Sequence, residues 1–139
     1  MSNQPRRSES EVLPAITLDV EPTSEGLRLM SEQLELFLRD HDVPAPVGAR
    51  LVSVANDVAF AVASALERPP VGRLQADADI GLDDTQLVLI AGDHRLPDVY
   101  AALRPHLDDA ARQCDDFTAA LAPNAELHVW ARFRLNRAF

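Results

Sequence analysis

LRLMSEQLELFLRDHDVPAPVGARLVSVANDVAFAVASAL (27–66) is the stretch that decides the architecture. Its first half spaces Leu27, Met30, Leu34, Phe37 and Leu38 at the three- and four-residue intervals of one helix face. DHDVPAP (40–46) interrupts that period. The spacing then resumes with Leu51, Val54, Val58, Val62 and Leu66, and alanines at 55, 59, 61, 63 and 65 keep the second helix slim enough for close neighbours. Two consecutive helices are therefore expected, over about 25–41 and 46–67. Thr23, Ser24 and Glu25 offer capping groups to the first, Pro46 suits the first turn of the second, and Arg68, Pro69 and Pro70 stop it.

On the N-terminal side, ITLDVE (16–21) alternates Ile16, Leu18 and Val20 with polar residues, the mark of a half-buried strand. Residues 1–13 show no period and are expected to form a disordered arm, leaving 14–139 as a single domain. On the C-terminal side, VGRLQADADIG (71–81) alternates again, LDD (82–84) is a turn, and TQLVLIAGD (85–93) is apolar enough for a central strand. Pro97 to Leu121 carries a helical stripe of Val99, Leu103, Leu107, Ala110, Cys114, Phe117 and Leu121, with Pro105 expected to kink or break it. ELHVWARFRLN (126–136) closes the chain with Leu127, Val129, Ala131, Phe133 and Leu135 on one side and His128, Trp130, Arg132 and Arg134 on the other. The expected order is β-α-α-β-β-α-β. It implies an α+β two-layer sandwich, a mixed or antiparallel sheet with three helices on one face. Merging the first two helices gives β-α-β-β-α-β, so a ferredoxin-like dimeric sensor or interaction domain stands as the alternative, and strand order separates the two.

Composition narrows the chemistry. The 139 residues hold 22 acidic and 13 basic side chains, a net charge of −9, which argues against nucleic acid as a partner. Every basic residue is arginine, so lysine Schiff bases and a phosphate-loop lysine are excluded. No stretch approaches the ~18 consecutive apolar residues of a membrane span, and the N-terminus lacks the apolar core of a secretory signal. One cysteine allows neither an internal disulfide nor a cysteine-based zinc site and fits a reducing cytoplasm. Cys114 falls in the apolar stripe beside Asp115 and Asp116, which oppose a thiolate. His41, His94, His106 and His128 have no metal-ligand spacing. The acidic pairs Asp77/Asp79, Asp83/Asp84, Asp108/Asp109 and Asp115/Asp116 fall on turns and polar faces, where solvation explains them. The five glycines never cluster into a phosphate cradle.

The element order, with 27–66, TQLVLIAGDHRL (85–96) and ELHVWARFRLN (126–136), resembles the anti-sigma-factor/serine-protein-kinase family of the histidine-kinase-like (GHKL) ATPase superfamily. The resemblance implies that family's sandwich fold, cytoplasmic regulation of bacterial transcription, homodimers, and protein partners such as a sigma factor or an anti-sigma-factor antagonist. It also implies a nucleotide site, which this sequence does not reproduce. The family's second helix carries an acidic residue and, four on, a magnesium-binding asparagine; the aligned positions here are Asn56 and Phe60, followed by Ser64. Phe60 has no hard oxygen donor for magnesium. Sliding by one residue offers Asp57 but places Ala61 at the asparagine position. The family's Asp-x-Gly-x-Gly around adenine is reduced to Asp93, followed by His94 and Arg95. The expectation is therefore a scaffold without catalytic, metal or cofactor residues, in which Phe60 and its neighbouring alanines fill the nucleotide space. The alternative is an active kinase using ATP and magnesium. Trp130, Arg132 and Arg134 are the expected partner-binding residues, forming a positive, aromatic patch.

Overall fold

The structure is a computed structural model and describes residues 13–66 and 73–135. The expected arm, apart from Leu13, lies outside the described residues, as does the Arg68–Pro70 helix stop. The elements are β1 (Ala15–Val20), α1 (Ser24–Asp40), α2 (Ala45–Leu66), β2 (Arg73–Ile80), β3 (Asp84–Gly92), α3 (Leu96–Ala111), β4 (Asp116–Leu121) and β5 (Glu126–Arg134).

Local chemistry sets the boundaries. The Thr23 side chain accepts from the Gly26 N–H at 3.1 Å and caps α1. Gly26 is buried against the Glu21 carbonyl, where a side-chain carbon would collide with the oxygen. Asp42, in the left-handed region at φ 61°, turns the chain from α1 into α2. The strands form one five-stranded sheet in the order β1-β2-β3-β5-β4, and every neighbouring pair is antiparallel. A ferredoxin-like sheet is also antiparallel but holds its first strand at the centre beside the last; here β1 is an edge next to β2, so the strand order excludes that arrangement.

Alternation along each strand gives the sheet two unlike faces. Leu74, Ala76, Ala78 and Ile80 of β2, Leu87, Leu89 and Ala91 of β3, and Leu127, Val129, Ala131 and Phe133 of β5 are buried on the helix side. Met30, Leu34 and Phe37 of α1 and Leu103, Leu107 and Ala110 of α3 meet them, with α2 packed between those two helices. α2 is long and apolar enough to cross a membrane by length and composition. Its ten buried residues, Val47 to Leu66, are accounted for by this central place in the core.

The expectation failed in one element. The third helix ends at Ala111 instead of Leu121, and Asp116–Leu121 is a strand, making the order β-α-α-β-β-α-β-β. Past Ala110 the hydrogen bonds shorten to three-residue steps, Gln113 to Ala110 and Cys114 to Ala111, which unwinds the helix. Phe117 and Leu121 misled because a four-residue spacing fits two turns of a strand alternation as well as one helical turn. What decides is the partner: β4 pairs along its length with β5, and Ala125, left-handed at φ 64°, closes the hairpin. Pro105 neither breaks α3 nor ends it; it faces solvent, where water can serve the carbonyl its missing N–H leaves free.

Candidate functional site

The end of β3 holds a closely hydrogen-bonded polar cluster. Asp93 follows the strand directly, and its N–H donates to the Ala125 carbonyl of the β4–β5 turn. Its side chain is only 2% exposed. The Arg95 backbone N–H donates to Oδ1 at 2.9 Å, the guanidinium Nε to Oδ1 at 3.0 Å and Nη2 to Oδ2 at 2.9 Å. The remaining Nη1 reaches the Leu66 carbonyl, in the last residue of α2, at 3.2 Å. This fork ties β3, α2 and the start of α3 together. The Arg95 hydrogen bonds hold the Asp93 carboxyl far below the usual carboxylate range, although burial pushes the other way. Asp93 is thus ionised and has both oxygens engaged by a residue standing where the resembled family has its first glycine.

Asn56 and Phe60 do not converge on it. Asn56 turns toward α1 and accepts from the Ser31 hydroxyl at 2.8 Å. Phe60 is 65% exposed, so it does not fill a nucleotide space as expected. The reason is angular: Phe60 lies opposite Val58 and Val62 on α2, and those face the core. Asn56 also lies ten residues before Leu66, about 15 Å of helix rise away from the Asp93 end. On the other flank of α2, Asp57 accepts from the Gln113 amide at 3.1 Å.

Cys114 is corrected in place but not in chemistry. It sits in the turn after α3, half-buried, with Sγ donating to the Ala110 carbonyl. Burial, helped by Asp115 and opposed by Arg50, pushes its thiol up to about 11. Among the described residues no group of histidine, cysteine and carboxylate side chains could hold a metal ion.

The open face of the sheet carries Trp130, Arg132 and Arg134 together, as alternation requires, and the charge of Arg132 is taken up by carboxylates. Trp130 is half-buried, and its ring N–H donates to Gln86 Oε1 on β3 at 2.9 Å. Arg132 donates through Nε to Asp116 Oδ2 at 2.8 Å, pairs with it again through Nη2, and reaches Asp84 through Nη1 at 3.4 Å. Arg134 is exposed, while its backbone N–H donates to Asp115 at 2.7 Å. Arg132 is therefore paired within the sheet, while the Arg134 side chain stays exposed. Val88 and Ile90, half-buried beside Trp130 and His128, extend it as apolar surface. The sequence signal for both was the apolar run of β3, which is central in the sheet as expected, with only alternate residues fully buried.

No family model matches the chain, and no curated protein matches it. Among solved structures it is similar to the RsbU and RsbW domains of Rv1364c from Mycobacterium tuberculosis. The TM-score is 0.69 with 14% identity, over 90% of this chain. The fold is RsbW-like. The match covers 33% of that chain's length, so the likeness speaks for the α+β sandwich alone.

Proposed function

We propose that this protein is a non-catalytic regulator of the anti-sigma type that acts by protein–protein binding, on a scaffold whose nucleotide site has degenerated. The observation that carries the reading is the closure of Asp93 by Arg95 within an RsbW-like sandwich. A base-recognising carboxylate must present an oxygen to the ligand, and this one is only 2% exposed with Arg95 bonded to both oxygens. Phe60 in solvent and Asn56 turned to Ser31 add two further positions that offer a magnesium phosphate nothing.

The partner in this reading is a sigma factor or an anti-sigma-factor antagonist in a bacterial cytoplasm. The open sheet face with Trp130, Arg132 and Arg134 is its binding surface. With Arg132 satisfied internally, Trp130, Val88 and Ile90 supply area and the rim charges supply register.

Titration with magnesium and ATP, followed by calorimetry and melting, tests the degenerate site. The expected result is no heat and no change in Tm at millimolar nucleotide. A stabilisation of about 2.7 kcal/mol, the effect of ligand at a hundredfold its Kd, overturns the reading in favour of an active kinase. Pull-down from the native bacterium with the wild-type chain and a Trp130→Ala variant, followed by mass spectrometry, tests the partner. A sigma factor or antagonist lost with the variant is expected; equal recovery by both removes the sheet face from the proposal.

A further inference from the structure

An open sheet leaves a row of N–H and C=O groups along each edge, and β1 is an edge strand. The ladder decides which groups of β1 face outward. The Ile80 N–H donates to the Pro14 carbonyl, and the register continues through Ile16 with Ala78, Leu18 with Ala76 and Val20 with Leu74. Hydrogen-bonded pairs recur at every second residue of an antiparallel ladder, so these positions spend their groups on β2. Ala15 and Thr17 turn theirs to the outer edge. Pro14 falls on the inward phase and Pro22 beyond the strand, so neither removes an outward N–H.

The same edge has apolar surface left over. Ile16, Leu18 and Val20 lie on the helix side and are only half-buried. Beside them α1 packs on β1 and carries two exposed leucines, Leu29 at 43% and Leu36 at 46%. At 3.6 residues per turn both stand about 140–160° round the helix from Ser31, whose hydroxyl bonds to Asn56 of α2. They are therefore on the flank away from α2, on the side of the outer edge of β1. Strand edge, half-buried floor and leucine wall form one shallow groove. Charge says what enters it. Residues 15–40 hold six carboxylates against two arginines, and one of the two, Arg28, is bridged to Glu25 and Glu32. On the open face next to β1 stand Asp77 and Asp79 of β2. Burial and Asp84 hold the Asp79 carboxyl above its ordinary range, so a cation brought near it is favoured.

We propose that β1 is the docking edge for an extended, basic segment of a partner protein, which alternates apolar residues with arginine or lysine and adds to the sheet beside β1. Its backbone pairs with Ala15 and Thr17. Its apolar side chains enter the groove on Ile16, Leu18, Leu29 and Leu36, and its cations lie on the other face toward Asp77 and Asp79. The chain supplies no such strand from outside the described residues. Residues 1–12 have only Met1 and Val12 as apolar side chains, and 67–72 carry adjacent prolines. Residues 136–139 reach about 14 Å, less than the ~19 Å from β5 to the outer side of β1. A second copy would set carboxylates against carboxylates. Trp130 lies on β5, three places along the sheet from β1, so the edge is a surface of its own and does not depend on the nucleotide reading.

Fluorescence anisotropy with the full chain and a labelled peptide of about seven residues, valine alternating with arginine, tests the occupant. A peptide of the same composition with its valines in one block should bind about tenfold more weakly or worse, as should one alternating valine with glutamate. Thr17→Pro removes an N–H that the fold does not use, so it should weaken binding by about tenfold or more while leaving Tm nearly unchanged. Leu36→Lys puts a cation into the groove without touching the ladder and should weaken binding similarly, whatever Thr17→Pro does to folding. Amide hydrogen exchange at Thr17 should slow when the alternating peptide is added. No saturable binding at millimolar peptide, equal binding of the block peptide, or indifference to both variants overturns the proposal. So does a Thr17 amide already protected in the free chain, which assigns the edge to a second copy or to another segment of this chain.

Discussion

Removing the guanidinium of Arg95 should loosen the junction of β3, α2 and α3 more than any other single surface change. Arg95→Ala keeps the backbone N–H on Asp93 Oδ1 but deletes three bonds, two to the carboxylate and one to the Leu66 carbonyl. Breaking a fully buried ion pair costs about 3–5 kcal/mol, and an exposed one about 0–1 kcal/mol. Asp93 is 2% exposed while Arg95 is 24% exposed, so water can reach the gap only from the arginine side. The loss should be about 3 kcal/mol, closer to the buried limit. For a chain of this size that lowers Tm by roughly 10 °C. The pH dependence has a definite sign. The Asp93 carboxyl lies below its unfolded value, so its contribution is complete above the ordinary carboxylate range and is lost as pH falls through the folded value. The gap between wild type and variant is therefore widest at neutral pH and shrinks below about pH 4. Circular-dichroism melts at a series of pH values measure it, and the Asp93→Asn/Arg95→Ala double variant isolates the coupling. A Tm change under about 2 °C at neutral pH, or a gap that grows on acidification, refutes the assignment of a fork that holds the junction.

Phe133 has no exposed surface, so Phe133→Ala should cost about 3–5 kcal/mol. Trp130→Ala on the opposite face should cost much less, and denaturant midpoints rank the two. Gly26→Ala pushes a methyl group into the Glu21 carbonyl and should destabilise by about 1–3 kcal/mol, visible as a lower urea midpoint; an unchanged midpoint would show that α1 starts elsewhere. Burial and the nearby Asp84 hold the Asp79 carboxyl above the ordinary range, so ionising it opposes folding. Asp79→Asn should stabilise at neutral pH, with the gain fading as pH drops below the unfolded carboxylate value, and melts at pH 7 and pH 3 would reveal it.

The parts of the fold that were legible in sequence are those where one period dominates. Leu127 to Leu135 alternate without exception, and that alternation decides which side chains of β5 face the helices. The two helices of 27–66 were legible because a proline-bearing loop resets the phase between them. The α3–β4 boundary was not, since Phe117 and Leu121, four residues apart, suit either period and only the presence of β5 resolves the choice. The site was half legible. Asp93 could be singled out at a strand end, but its occupation by Arg95 depends on the chain folding back over two residues, a turn that residue types alone do not announce. The satisfaction of Arg132 by Asp84 and Asp116 was hidden for a related reason, because it joins residues 48 and 16 positions apart.

The place of β5 between β3 and β4 has a consequence for how the chain comes off the ribosome. β4 is made first yet pairs with a strand that does not exist until residues 126–134 have been added. Through that interval Leu87 and Leu89 of β3 lack their neighbours Ala131 and Val129, and α3 has only a partial floor beneath it. A nascent chain stalled before Glu126 therefore holds three paired strands and an unfinished core, a form exposed to chaperones and proteases. Emergence of one nine-residue strand converts it at a stroke into the closed sandwich.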